Sequence, residues 1–153
     1  MITAGETATK NGGVEQCCIN GLRMWWRGTD GGIYPWGNDL PTDELAVFGV
    51  RPQHWGGPRS FSRVDSHAKG ASPYGAHHMA GNVFEWVEDC WNTSHKNAPK
   101  NGTARIEGNC KYRVLRGGSF YYYSKVAKSF YRAKNPPGVK NYWLGFRVLR
   151  ELD

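Results

Sequence analysis

The chain has 153 residues with 39% hydrophobic and 14% aromatic content, which fits one folded domain and excludes a disordered protein. No apolar run approaches the roughly 20 residues of a membrane span, and the N-terminal residues lack the pattern of a signal peptide. The net charge of +7 is uneven, because ten basic residues and no acidic one lie between Glu107 and Glu151. This asymmetry indicates an anionic partner or a solvated basic face.

The first half of the chain predicts little regular structure. Residues 1–21 are predicted to be a tail or a short helix, with the helix at VEQCCI, 14–19. Turn-forming residues punctuate 28–41, and 51–75 have the composition of long irregular loops. Four aromatics of this half are interpreted as packing residues: Trp25, Trp26, Tyr34 and Trp36.

Three strands are predicted in the second half. NVFEWVEDCW (82–91) alternates in a strand pattern with aromatics on one face, and YRVLR (112–116) ends at a pair of glycines. LGFRVL (144–149) is predicted to be the third strand. We expect short antiparallel strands, one or two helices and much irregular loop, with three core anchors: Phe120, Phe130 and Phe146.

The segment between the last two strands, 117–147, concentrates aromatic and basic residues. Eight aromatics lie from Phe120 to Trp143, with five basic residues among them and no acid. Neighbouring strand residues point to opposite faces, so Tyr121-Tyr122-Tyr123 cannot all be buried on one side. Tyrosine and tryptophan supply large rigid contact area with a polar end, which favours a binding surface.

The four cysteines do not define one chemistry. The spacing of Cys17, Cys18, Cys90 and Cys110 matches no zinc site. The vicinal pair Cys17-Cys18 does not pair easily with itself. One or two disulfides to Cys90 and Cys110 and four free thiols are both compatible with the sequence.

Four motifs carry a resemblance to a known family. IYPWGN (33–38), ASPYGAHHMAGNVFEW (71–86), RVLRGGSF (113–120) and LGFRV (144–148) occur in that order. As a set they resemble the formylglycine-generating-enzyme (sulfatase-modifying factor) family. The resemblance implies an α+β, C-type-lectin-like fold. We therefore expect a ligand-binding domain over 22–153, with a variable segment at about 117–147.

Within that family the chain most resembles the variable proteins of diversity-generating retroelements, in which a reverse transcriptase rewrites codons between a GGS(W/F) motif and an (I/L)GFR motif. Trp143 and the lysines depart from that pattern, because an Asn codon altered only at its adenines does not yield them. The resemblance and the composition together predict these ligand-binding residues: Tyr121, Tyr122, Tyr123, Lys125, Val126, Lys128, Tyr131, Lys134, Asn135, Val139, Asn141, Tyr142 and Trp143.

The resemblance also bears on catalysis. Family enzymes carry a pair of cysteines after the GGS motif and use copper, and the segment after Ser119 has no cysteine. A related branch uses a three-histidine iron site, whose spacing is absent, so His77 and His78 are interpreted as loop histidines. We therefore expect no catalytic residues and no enzymatic activity.

Calcium is the one cofactor that the resemblance suggests. By position its ligands would be His78, the carbonyl groups of Gly81 and Val83, and the carboxylate of Glu85. His78 offers nitrogen where relatives carry Asn or Asp, and calcium prefers oxygen. Glu85 has the alternative role of a buried structural carboxylate, so the expectation is no cofactor, with calcium as the exception.

We therefore predict a non-catalytic protein that binds a protein or glycan on another cell or particle surface, and that is itself displayed on a surface or associated with a virion. One alternative is a catalytically inactive or divergent relative of the family enzymes. The other is a nucleic-acid-binding module, with phosphate contacts from lysines and base stacking on the tyrosines. The phosphate contacts would come from Lys125, Lys128, Arg132, Lys134 and Lys140.

Overall fold

The structure is a computed structural model that describes residues 31–49, 61–99 and 103–147. The predicted helix at 14–19, Trp25, Trp26 and the pair Cys17-Cys18 lie outside the described residues. The regular elements are two short 3-10 helices and four strands: helices Ala68–Gly70 and Ser124–Ala127, and strands β1 (Phe84–Trp91), β2 (Asn109–Arg116), β3 (Ala133–Asn135) and β4 (Leu144–Gly145). Among the described residues, no helix combines the length and apolar character needed to cross a membrane.

One sheet contains all four strands, in the order β3-β2-β1-β4. β1 pairs antiparallel with β2, β2 pairs antiparallel with β3, and β4 runs parallel to β1. The strands predicted at 82–91 and 112–116 are confirmed. The prediction at 144–149 is wrong in extent within the described residues, because pairing ends at Gly145, and β4 is not antiparallel.

Alternation along β2 divides the core between the two faces of the sheet. Val114 packs with Met79 and Val87, whereas the next residue, Leu115, packs with Phe84 and Val126. Trp86 packs on the Leu115 side with Phe84, so the predicted aromatic face of β1 is confirmed. Both faces of the central strands are therefore covered. This explains why residues on both faces of β1, Phe84 on one and Glu85 and Val87 on the other, are buried.

Backbone hydrogen bonds tie the start and the end of the aromatic segment to the chain just before and within β1. The Gly81 N–H donates to Gly117 O (2.8 Å), and the Phe120 N–H donates to Asn82 O (2.8 Å). At the other end, the Phe84 N–H donates to Trp143 O (2.9 Å). Gly81 must be glycine, because its φ is 78° and a Cβ there would lie 2.6 Å from the carbonyl oxygen of Val47.

A buried ion pair fixes the chain beyond β4. The Arg147 Nη2 and Nε atoms donate to the Glu85 carboxylate at 2.8 and 3.1 Å, and Nη2 also donates to the His77 carbonyl oxygen at 2.8 Å. The two side chains are 12% and 2% exposed. This contact joins the arginine of the LGFR motif to the glutamate of the GNVFEW motif, 62 residues earlier.

The aromatic core predictions hold only in part. Phe120 is 4% exposed and Tyr34 is 5% exposed, so both are core residues as predicted. Phe130 and Phe146 are 58% and 40% exposed, so their assignment as core anchors was wrong. Phe146 follows the last paired residue of β4, where strand alternation no longer sets the direction of the side chain.

The pairing of two of the four cysteines differs from both alternatives that the sequence left open. Cys90 of β1 and Cys110 of β2 form a disulfide across 20 residues of chain. The intervening segment is also held by hydrogen bonds, in which the Cys90 N–H donates to Arg105 O and the Asn92 Nδ2 donates to Glu107 O, both at 2.8 Å. The disulfide therefore closes the loop between β1 and β2, at the end of the sheet away from the Gly117 turn.

We expect Glu85→Ala to lower the free energy of unfolding by about 3 kcal/mol, because the variant keeps the nearly buried Arg147 guanidinium but removes its carboxylate partner. Arg63→Ala is the matched control, since Arg63 makes a similar two-point contact with Asp65 at the exposed surface. Urea unfolding should detect no change for the control. Equal losses in the two variants would contradict a role for burial.

Reduction of the Cys90–Cys110 disulfide should lower the free energy of unfolding by about 3 kcal/mol, because opening a loop of this length restores entropy to the unfolded chain. Thermal unfolding with and without dithiothreitol measures this change. The double variant Cys90→Ala/Cys110→Ala should have the lowered midpoint without reductant and no further response to it. An undiminished response in the double variant would assign the effect to other thiols.

Candidate ligand-binding surface

The three consecutive tyrosines occupy three different environments. Tyr121 and Tyr122 are half-buried, and Tyr123 is 51% exposed. The Tyr122 ring lies edge-on to Phe84 and Trp143, with centroids 5.5 Å from each. The Tyr121 ring contacts the rings of Tyr122 and Tyr142. The prediction that the triplet cannot be wholly buried is confirmed.

Tyr121, Tyr123, Asn141 and Tyr142 form what we call the aromatic surface. Tyr142 is 55% exposed, and its ring centroid lies 6.2 Å from that of Tyr121. The strand ends hold the two parts of this surface together, since residues 120 and 143 are both hydrogen-bonded to the chain at 82–84. The aromatic surface therefore consists of side chains from both ends of the 117–147 segment.

Beside the aromatic surface is a cleft of about 180 Å³. Its floor is formed by buried residues of the Leu115 side of the core, namely Phe84, Leu115 and Val126. The remaining lining residues are half-buried or exposed: Tyr122, Tyr131, Ala133, Lys134, Asn135 and Trp143. The cleft thus has an apolar floor and a rim that carries phenol, indole and amide groups.

Tyr122 stays neutral at physiological pH. Burial raises the pKa of its hydroxyl group above the ordinary value, and the neighbouring phenols of Tyr121, Tyr131 and Tyr142 raise it further. A neutral phenol both donates and accepts hydrogen bonds. Tyr122 can therefore offer a polar contact at the cleft without introducing a charge.

Two of the predicted ligand-binding residues line the cleft without pointing to the aromatic surface. Val126 is 7% exposed and packs in the core with Phe84 and Leu115, so its side chain is part of the cleft floor and not of the outer surface. The 3-10 helix Ser124–Ala127 turns this residue inward while Lys125 faces out. Val126 therefore lies on the cleft floor, and its part in ligand binding stays a prediction.

Lys134 directs its charge to the other face of the sheet. In β3 it pairs with Val114, and its ammonium group lies 5.0 Å from the Trp91 ring centroid and 4.8 Å from that of Tyr112. Its neighbour Ala133 pairs with Leu115 and faces the cleft. Lys134 thus borders the cleft, while its ammonium group lies beside Trp91 and Tyr112, and its part in ligand binding stays a prediction.

The other predicted residues are accessible, and their part in ligand binding stays a prediction. They are exposed or half-exposed in the structure: Tyr121, Tyr122, Tyr123, Lys125, Lys128, Tyr131, Asn135, Val139, Asn141, Tyr142 and Trp143. The sequence predictions missed the cleft residues Phe84, Leu115 and Ala133. The aromatic face of β1 was a signal for Phe84, but only the strand pairing shows that this face meets the 117–147 segment.

Two of the residues suggested for calcium, Glu85 and His78, have other hydrogen-bond partners. Both carboxylate oxygens of Glu85 accept hydrogen bonds from Arg147, so Glu85 is a buried structural carboxylate. Nε2 of His78 hydrogen-bonds to Arg63 O at 2.8 Å, and burial lowers the pKa of this imidazole. Within 31–49, 61–99 and 103–147, no group of three or more His, Cys, Asp or Glu residues is arranged to hold a metal ion.

Comparison with known proteins identifies similar chains. Residues 18–152 match the family described as sulfatase-modifying factor enzyme 1-like domain. Hercynine oxygenase of Mycolicibacterium thermoresistibile is 30% identical, with 78% of this chain and 27% of that protein covered. Formylglycine-generating enzyme of Mus musculus is 27% identical, with 90% of this chain and 41% of the enzyme covered. The chain therefore spans less than half the length of these relatives.

Two solved structures share the fold. PvdO from Pseudomonas aeruginosa is 27% identical with a TM-score of 0.73, covering 90% of this chain and 52% of that chain. Treponema denticola variable protein 1 is 23% identical with a TM-score of 0.65, covering 86% and 45%. The predicted formylglycine-generating-enzyme type of C-type-lectin-like fold is confirmed.

The prediction that the chain has no enzymatic activity is contradicted by these relatives. Curated proteins named formylglycine-generating enzyme and hercynine oxygenase match 78% to 90% of the chain. That prediction relied on the absence of cysteine after Ser119, which is one feature of one kind of site. The family match covers nearly the whole chain, and the protein belongs to the sulfatase-modifying factor enzyme 1-like family.

Proposed function

We propose that this domain binds a ligand through the aromatic surface and the adjoining cleft, as a variable protein of a diversity-generating retroelement. The observation that carries the proposal is the exposure of ring side chains on a segment whose two ends are fixed to β1 and the turn before it. Exposed aromatics are otherwise unfavourable for solubility, so a cluster of them marks an interaction site. The ligand is a protein or glycan on another cell or particle surface.

Support comes from the separation of the two kinds of residue within 117–147. Tyr123 and Tyr142 are more than half exposed, whereas Phe120 is 4% exposed and Ala127 is fully buried. Residues that pack the core are interleaved with residues that do not. Substitution at the exposed positions can therefore change the surface while the core stays intact.

The retroelement origin is supported by where these residues lie. The aromatic surface falls between Gly117-Gly118-Ser119-Phe120 and Leu144-Gly145-Phe146-Arg147, the two motifs that bound the rewritten segment in the proteins this chain resembles. The shared fold with a protein named variable protein 1 supplies a precedent for the scaffold. The genes beside this one test the retroelement origin. A reverse-transcriptase gene and a near-copy of the 3′ coding segment would establish it, and the absence of both would contradict it.

A catalytic function is the second candidate, favoured by the enzymes among the relatives. The relevant assays are conversion of a cysteine in a sulfatase-type peptide to formylglycine, followed by mass spectrometry, and oxygen-dependent turnover of hercynine. Turnover that is lost when Tyr122 is replaced by Ala would place the reaction at the cleft.

Exposed residues of 117–147 are proposed to bind the ligand, and buried ones to pack the core. Substitutions at the two kinds of position should therefore change the free energy of unfolding by different amounts. We expect Tyr123→Ser and Tyr142→Ser each to change the free energy of unfolding by less than about 1 kcal/mol, as for other exposed positions. Phe120→Ala should cost about 3 kcal/mol, because it leaves a cavity in the core. Urea unfolding measures all three. Comparable losses at Tyr123 and Phe120 would show that the aromatic surface is structural.

Binding itself is tested with arrays of purified bacterial surface proteins and glycans. The labelled wild-type chain should bind at least one array member, and the triple variant Tyr121→Ser/Tyr123→Ser/Tyr142→Ser should lose that binding. The matched control is Phe130→Ser, which removes an exposed aromatic outside the aromatic surface. Loss of binding in the control but not in the triple variant would move the site away from the aromatic surface.

A further inference from the structure

We propose that the cleft receives one aromatic or long aliphatic side chain from an acidic segment of a protein ligand. This inference rests on the proposed function and names the class of ligand for the same site. It follows from three properties of the described residues: the size of the cleft, the polarity of its floor and the charge around it.

The size of the cleft suits a single side chain. Its volume is about 180 Å³, whereas sites for whole small molecules have volumes of about 300 to 1,000 Å³. A protein ligand needs only one such depression, because a few buried anchor residues carry most of the affinity of an interface. The aromatic surface beside the cleft would contact the surroundings of that anchor.

The floor of the cleft favours an apolar group. Phe84, Leu115 and Val126 present only hydrocarbon atoms from their side chains, and each is at most 7% exposed. A sugar ring or the polar edge of a nucleobase would lose hydrogen bonds to water at the floor, and only groups of the rim could replace some of them. An aromatic or aliphatic side chain has no such cost, and it can stack edge-on against Tyr122 and Trp143.

The charge around the cleft favours acidic neighbours of that anchor. The lining contains no carboxylate, and no acidic residue occurs from 108 to 150. Lys134 lines the cleft and Lys125 adjoins Val126 in the chain, while Lys128 and Lys140 lie two and three residues from Val126 and Trp143. None of these four lysines has an ion pair among the residues that the structure describes. Carboxylates on the ligand would complement these lysines and accelerate association.

A nucleic acid is disfavoured by the direction of the other cations. The Lys134 ammonium and the Arg132 guanidinium both lie over the Trp91 ring, 5.0 Å from its centroid. Trp91 packs with the Val114 side of the core, so these charges are on the opposite face of the sheet from the tyrosines. A strand stacked on the aromatic surface would therefore lose two of its five predicted phosphate contacts, those of Arg132 and Lys134.

The test uses a random peptide library displayed on phage and selected on the full chain. Selected peptides are synthesised, and their dissociation constants are measured by calorimetry for the wild type and three variants. Ala133→Phe fills the cleft from β3, Lys125→Glu/Lys128→Glu/Lys140→Glu reverses the nearby charge, and Lys96→Glu is the control at an exposed lysine outside the segment. Circular dichroism verifies that each variant is folded.

We expect the selected peptides to share one aromatic or long aliphatic residue next to Asp or Glu. Ala133→Phe should weaken their binding at least about tenfold, as should replacement of the apolar peptide residue by Ala. The triple lysine variant should weaken it by a similar factor, and Lys96→Glu should not. Should Ala133→Phe fail to fold, the peptide and lysine substitutions decide the question.

Three results overturn the inference. Selected peptides that bind Ala133→Phe normally but fail to bind Tyr121→Ser/Tyr142→Ser would place the contact on the aromatic surface alone, and the proposed function would survive. Binding unaffected by either change would remove both proposals. Selection of no peptide, together with binding of heparin or a single-stranded oligonucleotide, would assign the surface to polyanions instead of acidic proteins.

Discussion

The buried ion pair between Glu85 and Arg147 is the constraint on which the aromatic surface depends. β4 has only two paired residues, too few to hold the chain end by backbone hydrogen bonds alone. The guanidinium bridges the β1 carboxylate and the His77 carbonyl oxygen, and so fixes the chain after β4. Trp143 and Tyr142 immediately precede β4, so this contact and the Phe84 N–H to Trp143 O hydrogen bond together hold them beside Tyr121 and Tyr122.

The alternation of β2 and β3 then decides which residues share a face. Leu115 and Ala133 lie on the side of the cleft, while Val114 and Lys134 lie on the side of Trp91. Two aromatic and basic clusters that are adjacent in sequence are thereby separated by the thickness of one sheet. The domain consequently presents an apolar cleft on one face and a cation–π cluster on the other.

Local patterns predicted the elements whose determinants are local. Alternation in 82–91 and 112–116 marked β1 and β2, and the order of four motifs indicated the fold. The Tyr triplet indicated an exposed aromatic surface because three neighbouring side chains cannot share one face. The ends of the strands were predicted less well, since a strand ends where its partner ends, and the partner of β4 lies some 60 residues away in sequence.

The placements that the sequence did not predict share one physical cause, which is that the direction of a side chain depends on its tertiary contacts. Val126 is buried only because a 3-10 helix turns it toward Phe84, and Phe146 is exposed only because pairing stops one residue earlier. Lys134 faces away from the tyrosines because its register with Val114 requires it. The Glu85–Arg147 contact was also beyond local reasoning, although both residues belong to motifs that the sequence made conspicuous.

The hydrogen bonds of Asn82 and Phe84 have a consequence for how this domain can evolve. They fix Phe120 and Trp143 to Asn82 and Phe84, which are only two positions apart in the chain. The two ends of the segment 120–143 therefore keep the same separation whatever residues lie between them. Closing a flexible loop twice as long costs only about 0.6 kcal/mol more. Insertions and deletions of codons for the exposed residues 136–140, outside β3 and the buried 3-10 helix, are thus compatible with the same framework. The domain can therefore vary the shape of this loop as well as its side chains.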